Sequence, residues 1–130
     1  MDLLGTLVTE DILFRDPALF AQRIESRSEF VDFIETLFRA FPDVQFSDAG
    51  SYYFSPQGDG VALPWRMTGT FTGELESWNR DPDLRTTTAP NGKAFDLQGV
   101  DLYRFRDGLL CDYSIVYDLL DFSVQVGLFG

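Results

Sequence analysis

The sequence has no histidine and only one cysteine, and both facts narrow its possible chemistry. Without histidine, the chain lacks imidazole general bases, Ser-His-Asp and Cys-His nucleophile systems, and His-ligated zinc. Its single thiol, Cys111, cannot form a disulfide within the chain or a metal cluster with other cysteines. Because Cys111 lies in an apolar, strand-like segment, we expect a small buried hydrophobic residue rather than a reactive thiol. We expect neither a bound metal nor a cofactor.

Basic residues are also scarce, with 10 Lys and Arg against 21 Asp and Glu, for a formal net charge of −11. Such an acidic protein repels nucleic-acid phosphates and anionic lipid headgroups, so we expect no nucleic acid and no membrane as partners. No apolar run approaches the roughly 18 residues of a membrane-spanning helix. Residues 1–4 also lack the basic start of an export signal. These features favour a cytoplasmic protein.

Hydrophobic residues, in contrast, are plentiful. They make up 45% of the 130 residues and include 13 Phe, which is ample material for a buried core. The length is typical of one domain, so we expect a single domain over residues 1–130 rather than a disordered chain.

One amphipathic helix stands out in the first third of the chain. Ser26 and Glu29 form a capping box at its start, and Pro42 ends it. The residues between them repeat at the spacing of one buried helical stripe: Phe30, Phe33, Ile34, Leu37, Phe38 and Phe41.

Most of the remaining chain has the pattern of strands. We predict the end of a helix at residues 3–8, strands at 11–14, 44–46, 51–54, 61–72, 95–105 and 109–117, and a closing helix at 119–126. Residues 74–93 form a polar stretch that is either a lid or binding loop or a tolerated insertion. Because strands do not alternate regularly with helices, we predict an α+β fold with a mainly antiparallel sheet.

Asp107-Gly108 is a strong hairpin signal between the last two predicted strands. With a two-residue turn, Asp101 faces Ser114, Tyr103 faces Asp112, and Leu97 faces Asp118. Three carboxylates would then project from one largely apolar face of the sheet, where burial raises their pKa and suits them to acid-base chemistry. A three-residue turn with a bulge would separate Asp101 from the other two acids, and a solvated face with three surface acids is the simpler alternative.

Several segments in the same order resemble the SnoaL-like polyketide cyclases of the nuclear-transport-factor-2-like superfamily. They are ILFRDP at 12–17, FPD at 41–43, GTFTGE at 69–74, GK at 92–93, GVDLYRFRDG at 99–108, and the ending at 112–127. The resemblance implies a cone-shaped α+β fold (cystatin-like), in which a curved antiparallel sheet wraps around helices and one deep pocket. It also implies a homodimer through the outer face of the sheet, and a first helix that is shortened here.

The resemblance also suggests roles for individual residues. Asp118 matches the acid-base aspartate of the cyclases, and Asp112 takes the place of a common glutamate in the same strand. Against the related ketosteroid isomerases, Asp16 matches the general base and Asp101 the acid that stabilises an oxyanion. The simpler interpretations are a turn residue for Asp16 and a helix N-cap for Asp118.

An apolar wall of the expected pocket would come from Trp65, Met67, Tyr103 and Tyr53, although Trp and Met in such a pattern are more often ordinary core residues. These residues favour a cofactor-independent cyclase or isomerase that uses aspartate acid-base chemistry on a small apolar or polycyclic carbonyl compound. The alternative is a non-catalytic ligand-binding or dimerisation module with the same fold.

Overall fold

The computed structural model describes residues 2–129 and contains three helices and eight strands. The helices are α1 (Asp2–Gly5), α2 (Arg27–Ala40) and α3 (Leu119–Gln125). The strands are β1 (Val8–Arg15), β2 (Gln45–Asp48), β3 (Tyr53–Phe54), β4 (Gly60–Thr70), β5 (Leu75–Ser77), β6 (Thr86–Thr88), β7 (Ala94–Arg106) and β8 (Leu109–Tyr117). Within the described residues, no helix is both long and apolar enough to cross a membrane.

Helix α2 confirms the prediction made from its capping signals. The Ser26 hydroxyl accepts a hydrogen bond from the Glu29 backbone N–H at 3.3 Å, and the Glu29 carboxylate accepts one from the Glu25 N–H at 3.1 Å. The first bond satisfies an N–H group that the helix start leaves without a partner, while the second reaches the residue before the N-cap rather than the N-cap itself. Phe30 and Phe33 lie on the inner face of α2 and are buried in the core.

The main sheet has the strand order β1-β8-β7-β4-β2, with β3 also paired to β4. Its pairs are antiparallel except for β1 and β8, which run parallel. The predicted α+β fold with a curved, mainly antiparallel sheet is therefore confirmed, with one parallel pair that makes the sheet mixed. Helix α2 packs against β1, and α3 packs against β7.

The polar stretch at residues 74–93 is more ordered than a loop. It contains the two-stranded β5–β6 sheet and a short 3-10 turn at Pro82–Leu84 between the strands. Arg85 holds this segment to α2 by donating to Asp32 at 2.6 Å, and it also donates to Glu76 at 2.8 Å. The segment is thus fixed to the body of the protein.

The hairpin between β7 and β8 starts as predicted and then departs from the predicted register. Asp107 and Gly108 both have positive φ, as a two-residue hairpin turn requires, and the two pairs nearest the turn match the prediction. Cys111 is then an extra residue in β8, a β-bulge that shifts every later pair by one. It is half-buried rather than buried, and its thiol lies 3.4 Å from the Arg104 carbonyl oxygen.

The shift makes the three predicted cross-strand pairs wrong. Asp101 lies opposite Ile115, Tyr103 opposite Tyr113, and Gly99 opposite Tyr117. Because neighbouring residues in a strand point to opposite faces, the bulge exchanges the two faces of β8 beyond Cys111.

Candidate functional site

A cavity of about 600 Å³ lies between the sheet and helices α2 and α3. Its walls are mostly aromatic and aliphatic, and among the lining residues are Phe14, Phe30, Phe33, Trp65, Trp78 and Phe122. The β5–β6 segment closes part of one side with Leu75, Trp78 and Thr88. An apolar cavity of this size with few polar groups is typical of small-molecule sites.

Asp16 is the first polar group of the cavity, and the end of β1 positions it. It caps the 3-10 turn at Pro17–Leu19, and its Oδ1 accepts hydrogen bonds from the Ala18 N–H at 2.8 Å and from the Tyr117 hydroxyl at 2.7 Å. Both bonds fall on the same oxygen, so Oδ2 receives no hydrogen bond from the residues that the structure describes. The side chain is only 6% exposed, and this burial raises the pKa of Asp16 from 3.8 to about 6.

Asp101 is the second buried acid, on β7, and is 5% exposed. Its Oδ1 accepts a hydrogen bond from Trp65 Nε1 at 2.9 Å, and its Oδ2 accepts one from the Tyr103 hydroxyl. Burial raises the pKa of Asp101, while these donors act in the opposite direction. The Tyr113 ring packs against the Tyr103 ring at a tilt of 38°, with 4.8 Å between ring centroids, and burial raises the pKa of both phenols.

Five of the residues predicted for the site line the cavity. They are Asp16, Asp101, Trp65, Met67 and Tyr103. Asp16 caps a turn and also lines the cavity. Trp65 is a buried core residue and also lines the cavity, so in both residues the simpler structural role is compatible with a place in the site.

The other three predicted residues lie elsewhere, and their expected placement in the pocket is wrong. Asp112 points to the outer face of the sheet, where Arg15 donates to its Oδ1 at 3.0 Å, because the bulge moves it off the inner face. Asp118 is the N-cap of α3 and accepts from the Asp121 N–H at 2.9 Å. Tyr53 is 66% exposed on the short strand β3.

Three cavity residues of β8 were missed because the expected register put them on the opposite face. Tyr113 and Tyr117 line the cavity together with Ile115, where the predicted pairing places Asp112, Ser114 and Val116. The alternation of polar and apolar residues in Asp112-Tyr113-Ser114-Ile115 was a usable signal, since the apolar set of such a strand normally faces the core.

The carboxylates do not converge on a metal site. Across residues 2–129, no group of three or more Cys, Asp or Glu side chains is arranged to hold a metal ion. The site is therefore best described as two separate, hydrogen-bonded acids in an aromatic cavity.

Comparison with solved structures shows the same fold in other proteins. A protein from Jannaschia sp. CCS1, provisionally described as a SnoaL-like polyketide cyclase, has a TM-score of 0.77 and 21% sequence identity, covering 99% of this chain and 79% of its own. A nuclear-transport-factor-2-like protein of unknown function from Exiguobacterium sp. 255-15 has a TM-score of 0.64 and 23% identity, covering 91% of this chain and 82% of its own.

A third structure, from Catenulispora acidiphila, has a ketosteroid isomerase-like fold and was solved in complex with trimethylamine. Its TM-score is 0.68 at 20% identity, covering 95% of this chain and 79% of its own. A search of curated protein sequences finds no match. The sequence profile of the SnoaL-like polyketide cyclases, however, matches residues 1–126. This match over nearly the whole chain, together with the shared fold, shows that the chain belongs to the SnoaL-like polyketide cyclase family.

Proposed function

We propose that the protein binds a small apolar carbonyl compound in its cavity and transfers a proton on it with Asp16. The observation that carries this proposal is the Asp16 carboxylate, which is buried in the cavity wall with one oxygen fully hydrogen-bonded and the other without a hydrogen bond from the described residues. The bonds to Oδ1 fix the orientation of the group, and Oδ2 is available to take a proton. A pKa of about 6 makes the carboxylate both ionised near neutral pH and more basic than an exposed aspartate.

Asp101, the second buried acid, is suited to stabilise the carbonyl oxygen of the substrate. When a proton leaves the carbon next to a carbonyl, negative charge develops on the carbonyl oxygen, and buried donors stabilise it strongly. Tyr103 donates to Asp101 in the structure. If Asp101 takes up a proton, it can donate to Tyr103 instead, and the Tyr103 hydroxyl is then free to donate to the substrate oxygen.

The resulting step balances without any further reactant. Asp16 removes the proton from the carbon next to the carbonyl, and the carbon–hydrogen electron pair moves into an enolate whose oxygen accepts the Tyr103 hydrogen bond. The enolate then either regains the proton from Asp16 at another carbon, which is an isomerisation, or attacks a second carbonyl carbon of the same molecule, which is a cyclisation. In the cyclisation the electron pair of the second carbonyl moves to its oxygen, and that oxygen takes the proton from Asp16. Asp112 and Asp118 have no part in this scheme because they lie outside the cavity.

The alternative is a binding module without turnover, and the hydrogen bonding of Asp101 favours it. Both oxygens of Asp101 already accept from protein donors, Trp65 and Tyr103, as in a purely structural buried acid. Under this alternative the cavity still holds an apolar ligand, but Asp16 does no chemistry on it.

Hydrogen–deuterium exchange distinguishes the two functions without knowledge of the natural substrate. The probe is 2-tetralone, a bicyclic ketone with exchangeable protons next to its carbonyl, followed by proton NMR in deuterated buffer. We expect the protein to accelerate exchange above the buffer rate, with the rate rising as the pH passes through about 6, because Asp16 must be ionised. Asp16→Asn should lower the protein-dependent rate by about 100-fold or more, whereas Asp112→Asn, which changes an outer-face carboxylate, should leave it unchanged.

Two outcomes would decide against proton transfer by Asp16. Binding of 2-tetralone, detected by thermal shift, without accelerated exchange would support the binding module. Acceleration that survives Asp16→Asn would refute the role of Asp16.

A further inference from the structure

The charged residues that line the cavity are all acidic. They are Asp16, Asp48, Glu76 and Asp101, and no Lys or Arg is among the described residues of the lining. Of these acids, Glu76 is paired with Arg85, which does not itself line the cavity, while Arg15 and Arg66 pair with Asp112 and Asp96 on the outside. An anionic ligand would therefore meet only like charges in an apolar surrounding, which strongly disfavours it.

Asp16 also lacks a positive partner of its own. No ion pair involves it among residues 2–129, and its only polar contacts are the Ala18 N–H and the Tyr117 hydroxyl, both on Oδ1. An ionised carboxylate that is buried without a counter-ion is energetically unfavourable. A cation placed next to Oδ2 would neutralise it.

Aromatic rings line the same cavity as Asp16. The Tyr117 ring, whose hydroxyl contacts Asp16, lies 6.5 Å from the Trp65 ring between centroids, and Trp65 in turn contacts Asp101. Phe46 lies a further 6.0 Å from Trp65. The faces of aromatic rings attract cations, and alkylated ammonium groups are the cations that such sites recognise best, because their methyl groups need no hydrogen bonds.

We propose that the cavity also binds lipophilic quaternary and tertiary ammonium ions, with Asp16 as their counter-ion and Trp65 and Tyr117 as the rings that contact them. This ammonium-binding proposal shares with the proposed function only the assumption that the cavity is the ligand site. It requires no proton transfer.

A pair of ligands with the same shape tests the proposal directly. Benzyltrimethylammonium carries a permanent positive charge, and neopentylbenzene has the same outline without it. Binding is measured by ligand-observed NMR at pH 8 and checked by the change in tryptophan fluorescence. We expect the ammonium ion to bind about tenfold more tightly than the neutral compound, after its own desolvation is taken into account.

Two variants show whether Asp16 is the partner. Asp16→Asn should bring the affinity for benzyltrimethylammonium to within about threefold of that for neopentylbenzene, with the affinity for neopentylbenzene little changed. Asp112→Asn removes a carboxylate of the outer face and should keep the full preference for the cation.

The pH dependence gives an independent measurement on the unaltered protein. Since benzyltrimethylammonium does not titrate, any change in its affinity reports on the protein. The titratable groups facing Asp16 are Tyr117 and Asp101, and Tyr117 stays neutral throughout because burial raises its pKa. We expect the affinity to fall several-fold from pH 8 to pH 5, and this fall to disappear in Asp16→Asn but to persist in Asp101→Asn.

Equal affinities for the two ligands, or no binding by either, would overturn the proposal. A cation preference that persists in Asp16→Asn would overturn the assignment of Asp16. The ligand pair and the pH series use the unaltered chain, so the test holds even if a variant fails to fold. Failure of the proposed function is separate: 2-tetralone exchange would then be absent while the ammonium ion still binds.

Discussion

Replacing Asp16 by asparagine should make the protein more stable, and more so as the pH rises. The folded protein raises the pKa of this group from 3.8 to about 6, so the folded state holds its proton more tightly than the unfolded state. Below about pH 4 both states carry the proton, and burial of the group has no electrostatic cost. Above pH 6 the folded state must bury the charge, so stability falls as the pH rises between these values.

The size of the effect follows from the same shift. A difference of about two pKa units lowers the unfolding free energy by roughly 3 kcal/mol once the group is ionised in both states, as it is at pH 8. At pH 5, where the folded state still holds most of its proton, the loss is roughly half of that. Asparagine keeps an oxygen that can accept from the Ala18 N–H and the Tyr117 hydroxyl, but it carries no charge. We therefore expect Asp16→Asn to exceed the unaltered protein in unfolding free energy by about 1.5 kcal/mol at pH 5 and by about 3 kcal/mol at pH 8.

Urea unfolding followed by tryptophan fluorescence measures this difference, since Trp65 and Trp78 are both buried in the folded state. The series should stay at or above pH 5 because the sequence pI of about 4.1 favours precipitation near pH 4. Asp112→Asn serves as the control, and loss of its surface ion pair should change stability by no more than about 1 kcal/mol at either pH. An Asp16→Asn protein that is no more stable at pH 8, or whose advantage does not grow with pH, would refute this account of the buried acid.

Two further predictions concern the packing and the assembly. A Cβ atom at Gly99 would lie 2.4 Å from Trp65 Cζ2 and 2.5 Å from the Val116 carbonyl oxygen, so Gly99→Ala should lower the unfolding free energy by about 1–3 kcal/mol. Gly5→Ala, where the nearest atom is 3.8 Å away, is its control in thermal melts, and equal melting temperatures for the two variants would contradict the prediction. We also predict a homodimer through the outer face of the sheet, where Leu102 and Val116 are 45% and 51% exposed. Light scattering should then give about twice the chain mass of 14.8 kDa, Leu102→Glu should reduce it to one chain, and a monomeric unaltered protein would contradict the prediction.

Hydrophobic periodicity and capping signals predict most of the fold because they act locally. Ser26, Glu29 and Pro42 bound α2 in the sequence as in the structure, and the turn at Asp107-Gly108 forms as its residue types require. The family resemblance supplied what local patterns do not, namely the curvature of the sheet and the cavity beneath it.

The site was predicted less well because its composition depends on register. The turn alone determines only the two pairs next to it, and the bulge at Cys111 then reverses the facing of β8. A bulge depends on how the strand twists against both of its neighbours, and no single residue type announces it. Asp16, Trp65 and Asp101 were unaffected by this error because they lie on β7 or on segments that do not depend on the β8 register.

Cys111 thus has a consequence for how such sites can change during evolution. Deleting one residue at this point of β8 would turn Tyr113, Ile115 and Tyr117 outward and bring Asp112 and Ser114 inward, so that a phenolic wall would become an acidic one without a single substitution. A one-codon insertion or deletion can therefore replace the chemistry of the whole wall in one step while the core-facing half of the cavity persists. Counterparts of these residues in relatives should accordingly be assigned by the direction of the side chain, rather than by counting from the hairpin turn.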